Sequence, residues 1–370
     1  MKIVDLKVEL FRWDAVANVR YGAHSAARGA SQSCLALVSV LTDEGVKGHS
    51  FLGAYSRSAE LDALSLVRAL KPMVVGEDPL DRERLLKRMM QRIKLTTYRA
   101  VGAVDVALWD LAGKVAGLPV YKLMGAFRDS VPAYASSEVL GSVGDYVEQA
   151  QRMKAEGWKA YKIHPPADWR EDIAICKAVR EAVGGDYPLM LDSTWSYTYE
   201  ETIRVGRAIQ DLDYYWYEDP LPPEDLLNYV KVKQQLHIPI VATEYSAGGF
   251  AGFAPWIVNR ATDVLRGDPA VKGGLTACLK AAHLAEAFGM NFEIHHGGNS
   301  LNNVANLHLM CAIRNSEFFE VLLPDEAQKY GLVEDIKVGP DGMLKAPTGA
   351  GLGVEIDFDL VRRNFVADVV

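Results

Sequence analysis

Cysteine is scarce in this chain. Four residues, Cys34, Cys176, Cys278 and Cys311, are scattered through 370 positions with no Cys-x-x-Cys pair, which argues against a disulfide framework; they read as buried thiols of a reducing cytoplasm. Positive charge is also in deficit. Forty Lys and Arg face 48 Asp and Glu, for a formal charge of -8 and a pI near 5.6, so no electrostatic reason exists to expect nucleic acid or an anionic membrane surface as a partner. No run of about 18 apolar residues occurs, and a membrane span is not expected. The start, Met1-Lys-Ile-Val-Asp-Leu-Lys-Val-Glu-Leu10, alternates apolar and charged residues like an edge strand and lacks the continuous apolar core of a signal peptide. These deficits leave a cytoplasmic protein with a small-molecule partner as the expectation.

What the chain does have is core-forming material: 49% of its side chains are hydrophobic, enough to bury a large core in two domains. Residues 1 to 50 read as strand-rich, followed by helical stretches near 57 to 70, 78 to 94 and 99 to 116. From Val131 onward short strands alternate with longer amphipathic helices such as Ser142 to Ala155 and Arg170 to Ala182. The strands end near Ala135, His164, Asp192, Glu218, Glu244, Asp268, His295 and Leu322. Eight such units predict a (β/α)8-type barrel, closed because an open sheet would expose two edges, with its active site at the C-terminal strand ends. The predicted organisation is an α+β N-terminal domain over 1–127, the barrel over 128–328, and a Gly-rich segment over 329–370 that packs back on the first domain.

Three acids stand out. Asp192, Glu218 and Glu244 are spaced at 26-residue intervals, and each closes a β-type run: Tyr187-Pro-Leu-Met-Leu-Asp192, Asp213-Tyr-Tyr-Trp-Tyr-Glu218 and Ile238-Pro-Ile-Val-Ala-Thr-Glu244. One carboxylate at a strand end is commonly the N-cap of the next helix. Three on successive strands would repel one another at one sheet edge, and a hard divalent cation is the simplest remedy, with Mg2+ fitting best.

Other ionisable residues converge on the same edge. In Lys162-Ile-His164 the alternation of a strand puts Lys162 and His164 on one face, where they are either a buried Lys paired with a carboxylate plus a satisfied His, or a charge stabiliser and a proton-exchanging group. Asp268 and His295 end adjacent strands within hydrogen-bonding reach, as a functional dyad or an ordinary His/Asp pair. Two residues below them, Arg266 and Glu293 read as a supporting ion pair. Glu320, in Glu317-Phe-Phe-Glu320, is expected to end the last strand, either as a paired acid or as one kept neutral to donate a hydrogen bond. His296 is expected to point away from the site, and His49, His237, His283 and His308 to be structural or solvated.

Together these residues resemble the enolase superfamily over essentially the whole chain. The most specific local match is Ala100-Val-Gly-Ala-Val-Asp-Val-Ala-Leu-Trp-Asp-Leu-Ala-Gly-Lys114 with Leu118-Pro-Val-Tyr-Lys-Leu-Met-Gly125, which looks like the helix and turn joining the capping domain to the barrel in the muconate-lactonizing and mandelate-racemase subgroups. Asp268, where the muconate-lactonizing group has a catalytic Lys, with His295 looks like the mandelate-racemase dyad. The resemblance implies that Asp192, Glu218 and Glu244 hold one Mg2+ that binds a substrate carboxylate, that a base removes the proton α to it, and that Lys162 and the metal stabilise the enediolate. Two departures are visible: the usual Lys-x-Lys is Lys162-x-His164, and Thr194 stands where Asn often follows the first ligand. Specificity in the family lies in capping-domain loops, here Trp13 to Ala30 with Tyr21 and His24, and Phe51 to Ser56 with Tyr55; these are surface loops with packed aromatics or a hydrogen-bonding lid. A homo-oligomer is likewise implied.

The function expected is dehydration of a sugar acid or related hydroxy-carboxylate to a 2-keto acid, with His164 or His295 as the base. A racemase or epimerase using both histidines is the alternative, and a non-catalytic metal-binding protein of the same fold is the third.

Overall fold

A computed structural model describes residues 1–14, 16, 18–22 and 33–370. The N-terminal part is built on an antiparallel sheet of β1 (Ile3–Trp13), β2 (Ser33–Thr42) and β3 (Lys47–Leu52). Alternation along β1 buries Leu6, Val8 and Leu10 against a layer of helices. The longest of these, Tyr98–Ala116, starts where the Thr97 side chain accepts the N–H of Ala100 and stops at Gly117, whose φ of 66° suits a residue without Cβ. Val101, Val104, Leu108 and Leu111 on it are fully buried, each contributing roughly 1.5–3 kcal/mol. Its small residues permit close approach on two sides. A Cβ on Gly48 of β3 would lie 2.0 Å from the Ala107 carbonyl, and one on Gly102 of the helix would lie 2.3 Å from the carbonyl of Pro269.

Eight parallel strands follow: β4 (Ser130–Ser136), β5 (Ala160–Ile163), β6 (Leu189–Asp192), β7 (Trp216–Glu218), β8 (Ile240–Ala242), β9 (Val264–Gly267), β10 (Asn291–Ile294) and β11 (Phe319–Leu322), hydrogen-bonded in the order β10-β9-β8-β7-β6-β5-β4-β11. This is an enolase-like (β/α)8 barrel, nearly closed, with the antiparallel domain attached. The interior is layered by the two-residue period of a strand. Tyr134, Ala160, Met190 and Trp216 form an apolar layer with Val241, packed by Val264 and Phe318. Two residues further along their strands, Lys162, Asp192, Glu218, Arg266 and Glu320 are all buried. Apolar floor and charged mouth are thus one pattern.

Several details differ from the expectations. Strand β11 ends at Leu322, one of the predicted strand ends, two residues beyond the end that was also expected at Glu320. The last segment divides: β12 (Met343–Lys345) pairs with β4 of the barrel, whereas β13 (Phe365–Asp368) pairs with β1, Tyr330 stacks on Trp13, and the Leu352 N–H donates to Asp110 of the helix Tyr98–Ala116. Cys34 is half-buried, whereas the other three cysteines are buried. Among the described residues no helix is long and apolar enough to cross a membrane. Glu293 does not pair with Arg266. It closes the seam between β10 and β11, where its carboxylate accepts the N–H of Glu317 at 2.8 Å and of Phe318 at 3.3 Å, while Phe292 N–H donates to the Asn315 carbonyl at 2.7 Å.

Burial pushes Glu293 up to about 8 despite those two hydrogen bonds. An unfolded glutamate titrates near about 4.3, so folding takes up a proton between the two values and stability falls as pH rises across that window, by up to about 1.4 kcal/mol per unit. Glu293→Gln removes this group. The stability advantage of the native protein over the variant is expected to shrink from about pH 5 to about pH 8 in urea unfolding, and a pH-independent difference would contradict the assignment.

Candidate active site

At the C-terminal mouth of the barrel, Asp192 and Glu218 are the last residues of β6 and β7, in register with each other, and Glu244 follows β8 by two residues. All three are buried, and one oxygen from each lies within 4.8 Å of the others. Lys162 Nζ donates to Asp192 Oδ2 at 3.0 Å and to both Glu218 oxygens at 3.1 Å, and lies 2.7 Å from Glu320 Oε1. Arg266 stands 2.6 Å by its Nε from Glu218 Oε1, an ion pair too far off line to be a hydrogen bond, and its Nη2 pairs with Glu320 and donates to the Tyr134 hydroxyl at 2.9 Å. Arg266 therefore belongs to the charged layer of the mouth and not to a pair beneath the dyad.

Four carboxylates, Asp192, Glu218, Glu244 and Glu320, share two cations, Lys162 and Arg266. Against these two cations alone two negative charges are left over, of which protonation of His295 beside Glu244 or of Glu218 offsets a part. Burial would discharge Lys162, but Glu218 and Glu320 outweigh it and hold the ammonium charged. Burial likewise pushes Glu320 up, and Lys162 and Arg266 more than reverse this, so its carboxyl sits well below the usual range. Of the two forms expected of Glu320, a paired acid or a neutral hydrogen-bond donor, its contacts with Lys162 and Arg266 favour the paired acid. Asp192 is also lowered, its burial outweighed by Lys162 and His164. Glu218 goes the other way: burial raises it despite Arg266 and Lys162. A hard divalent cation among oxygen donors would supply the missing charge, and the donor set fits one.

Two imidazoles flank this cluster. His164, just past β5, has Nδ1 2.7 Å from the Ser137 carbonyl, to which it donates, and Nε2 3.1 Å from Asp192 Oδ2. His295, just past β10, has Nδ1 2.6 Å from Asp268 Oδ2 and Nε2 3.0 Å from Glu244 Oε1. In both rings the inner nitrogen is committed and Nε2 is left to exchange a proton. Burial opposes protonation of His295, and Glu244 and Asp268 outweigh it, raising the ring well above the ordinary histidine range. Asp268 serves twice. Its Oδ1 caps the short helix Pro269–Lys272 by accepting the N–H of Ala270 at 2.6 Å and Val271 at 3.1 Å, which aims Oδ2 at His295.

A cavity of about 190 Å³ lies over these groups, bounded by His164, Asp192, Glu244, His295 and Glu320 below and by Tyr21, Tyr55 and Thr194 above. The Tyr21 hydroxyl donates to the Leu323 carbonyl at 2.6 Å, and its ring meets those of Tyr55 and His164 edge-on. Thr194 packs against Gly22, where a Cβ would come within 2.5 Å of its Oγ1. His24 lies outside the described residues. Four lining residues escaped the sequence reading: Asp219, Trp195, Tyr245 and His296. Asp219 and Tyr245 directly follow Glu218 and Glu244, and that adjacency was the available signal. His296 was expected to point away. Because β10 ends at Ile294, strand alternation no longer governs it, and it turns into the cavity beside His295, ring centroids 3.8 Å apart.

A (β/α)8 barrel with three clustered carboxylates at its mouth, covered by an α+β domain, is the architecture of enolase-type enzymes. The chain belongs to the enolase superfamily: residues 145–360 match the family described as Enolase C-terminal domain-like, and residues 7–125 match the Mandelate racemase / muconate lactonizing enzyme, N-terminal domain. It is similar to arabinonate dehydratase of Saccharolobus solfataricus, 28% identical over 330 residues that cover 85% of this chain and 86% of that protein. D-galactarolactone cycloisomerase of Agrobacterium fabrum is 29% identical over 342 residues, 87% of this chain and 89% of its own. The solved structure of D-glucarate dehydratase from Agrobacterium tumefaciens complexed with magnesium superimposes with a TM-score of 0.89 at 33% identity, covering 99% of this chain and 100% of that one. Both a lyase and an isomerase reading fit such relatives.

If the acidic cluster takes a divalent cation, adding Mg2+ at about a hundredfold over its dissociation constant stabilises the fold by roughly 2.7 kcal/mol. Asp192→Asn removes one oxygen anion from the set. Thermal unfolding with and without Mg2+ is expected to show a stabilisation in the native protein that is lost in this variant; equal stabilisation of both would place the cation elsewhere.

Proposed function

We propose that this enzyme dehydrates a sugar acid or a related hydroxy-carboxylate to a 2-keto acid, using Mg2+ held by Asp192, Glu218 and Glu244. The observation that carries the reading is the pair of imidazoles just past strands β5 and β10, each presenting Nε2 to an outer carboxylate of the cluster, at 3.1 Å for His164 and 3.0 Å for His295. Mg2+, when bound, would supply a Lewis acid for the substrate carboxylate. His164 or His295 takes the α-proton, and the C–H electron pair moves into the carboxylate to give an enediolate. Lys162, kept charged among the acids, stabilises the growing negative charge. His295 then gives a proton to the departing β-hydroxyl as the C–O bond breaks; water leaves, and the resulting enol tautomerises to the 2-keto acid. Asp268 holds His295 in the tautomer this requires. The named dehydratases among the relatives support this class of reaction.

A second reading, racemisation or epimerisation of a hydroxy-carboxylate, is favoured by the same two flanking imidazoles, because one can remove the α-proton and the other return it on the opposite face.

Incubation of an acid-sugar library with Mg2+ is expected to yield a semicarbazide-reactive 2-keto product from at least one member, with His295→Asn lowering turnover by about 10²–10⁴. No keto product across the library would overturn dehydration. Deuterium entering the α-position from solvent without loss of water would select the racemase reading instead.

A further inference from the structure

The His296 side chain turns into the active-site cavity, yet no step above uses it. Its main-chain N–H donates to Glu320 Oε2 at 3.1 Å, and its ring lies 6.2 Å from that of Tyr55. A chain of hydrogen bonds leading away from the cavity sets its protonation. It begins at Gly297, whose main-chain N–H donates to Asn303 Oδ1 at 2.8 Å. A main-chain N–H only donates, so Asn303 turns its oxygen to Gly297 and its Nδ2 to Gln328 Oε1, at 3.1 Å. Gln328 is thereby left with Nε2 toward His296 Nδ1, at 3.0 Å. An amide nitrogen donates and offers no lone pair, so Nδ1 accepts and the ring proton sits on Nε2. The same donor opposes a second proton on Nδ1. Burial and the adjacent His295 add to this, holding the ring well below the ordinary histidine range.

We propose that His296 is a substrate-binding residue: a neutral imidazole, its tautomer imposed by Gly297, Asn303 and Gln328, whose Nε2–H donates to a hydroxyl oxygen of the substrate. This role presupposes a hydroxylated carboxylate in the site, as above. It carries two chemical consequences. Of these two adjacent histidines only His295 changes charge, because the ring packed against it is kept neutral. A fixed N–H donor also selects against an amino acid at this position, since an ammonium group has no lone pair to accept.

Two substitutions separate this role from a merely structural one. Asn303→Asp still accepts from Gly297 but now also accepts from Gln328, which must reverse and present its oxygen to the ring; the His296 proton then moves to Nδ1. Nitrogen-15 NMR of the full-length, unliganded protein is expected to show His296 as the Nε2–H tautomer in the native chain and as the Nδ1–H tautomer in N303D. Affinity for D-gluconate with Mg2+ present, measured by calorimetry, is expected to fall about tenfold in N303D. Should N303D not fold, His296→Phe is expected to lose the same affinity and His296→Gln, which keeps an N–H donor, to retain most of it. An Nδ1–H or doubly protonated His296 in the native protein, no gluconate binding, or gluconate affinity indifferent to these changes would overturn the role. Gluconate binding that depends on His296 without any turnover would count against dehydration and leave the role standing.

Discussion

Four buried carboxylates share two buried cations at the mouth of this barrel, and the rest of the site is arranged around that imbalance. Burying an unpaired charge is costly enough that the usual response is to neutralise it. Lys162 with His164 keeps Asp192 ionised, Lys162 with Arg266 keeps Glu320 so, and burial raises Glu218. A divalent cation would resolve the excess by adding the charge that the side chains lack. The barrel tolerates such a layer because the one beneath it is apolar: Tyr134, Met190 and Trp216 exclude water from below and brace the stems of the charged residues above.

The residues of the candidate site are tied to elements that also hold the fold together. Asp268 caps a helix with one oxygen and orients His295 with the other. The turn it begins is pressed against Gly102 of the helix Tyr98–Ala116, and that helix also packs on the N-terminal sheet, so the dyad is referenced to both halves of the molecule. The N-terminal half in turn brings Tyr21 and Tyr55 over the cluster. Cluster, dyad and lid are thus set by one packing arrangement.

What could be read in the sequence follows from this layering. The barrel and the placement of Asp192, Glu218 and Glu244 were legible because strand ends repeat with the β/α unit, and Lys162 with His164 because two-residue alternation is strict inside a strand. Alternation fails once a strand has ended, which is why His296 was misplaced. Partner choice inside the barrel was not legible either. Arg266 reaches across to Glu218 and Glu320 and not to Glu293 on the adjacent strand, because the barrel interior brings side chains of distant strands together. The choice between the two forms expected of Glu320 was not legible either, because it depends on Lys162 and Arg266 standing beside the acid, whereas the sequence alone supplied only its burial.

Burial raises Glu218 above an ordinary glutamate, and a divalent cation bound there would displace its proton. Titration calorimetry with Mg2+ in buffers of different ionisation enthalpy counts the protons released on binding. Release approaching one proton per Mg2+ at about pH 6, vanishing by about pH 9, is the result expected. Tight binding with no proton release at either pH would show that Glu218 is already ionised without the cation, and would contradict this reading of the charge at the mouth.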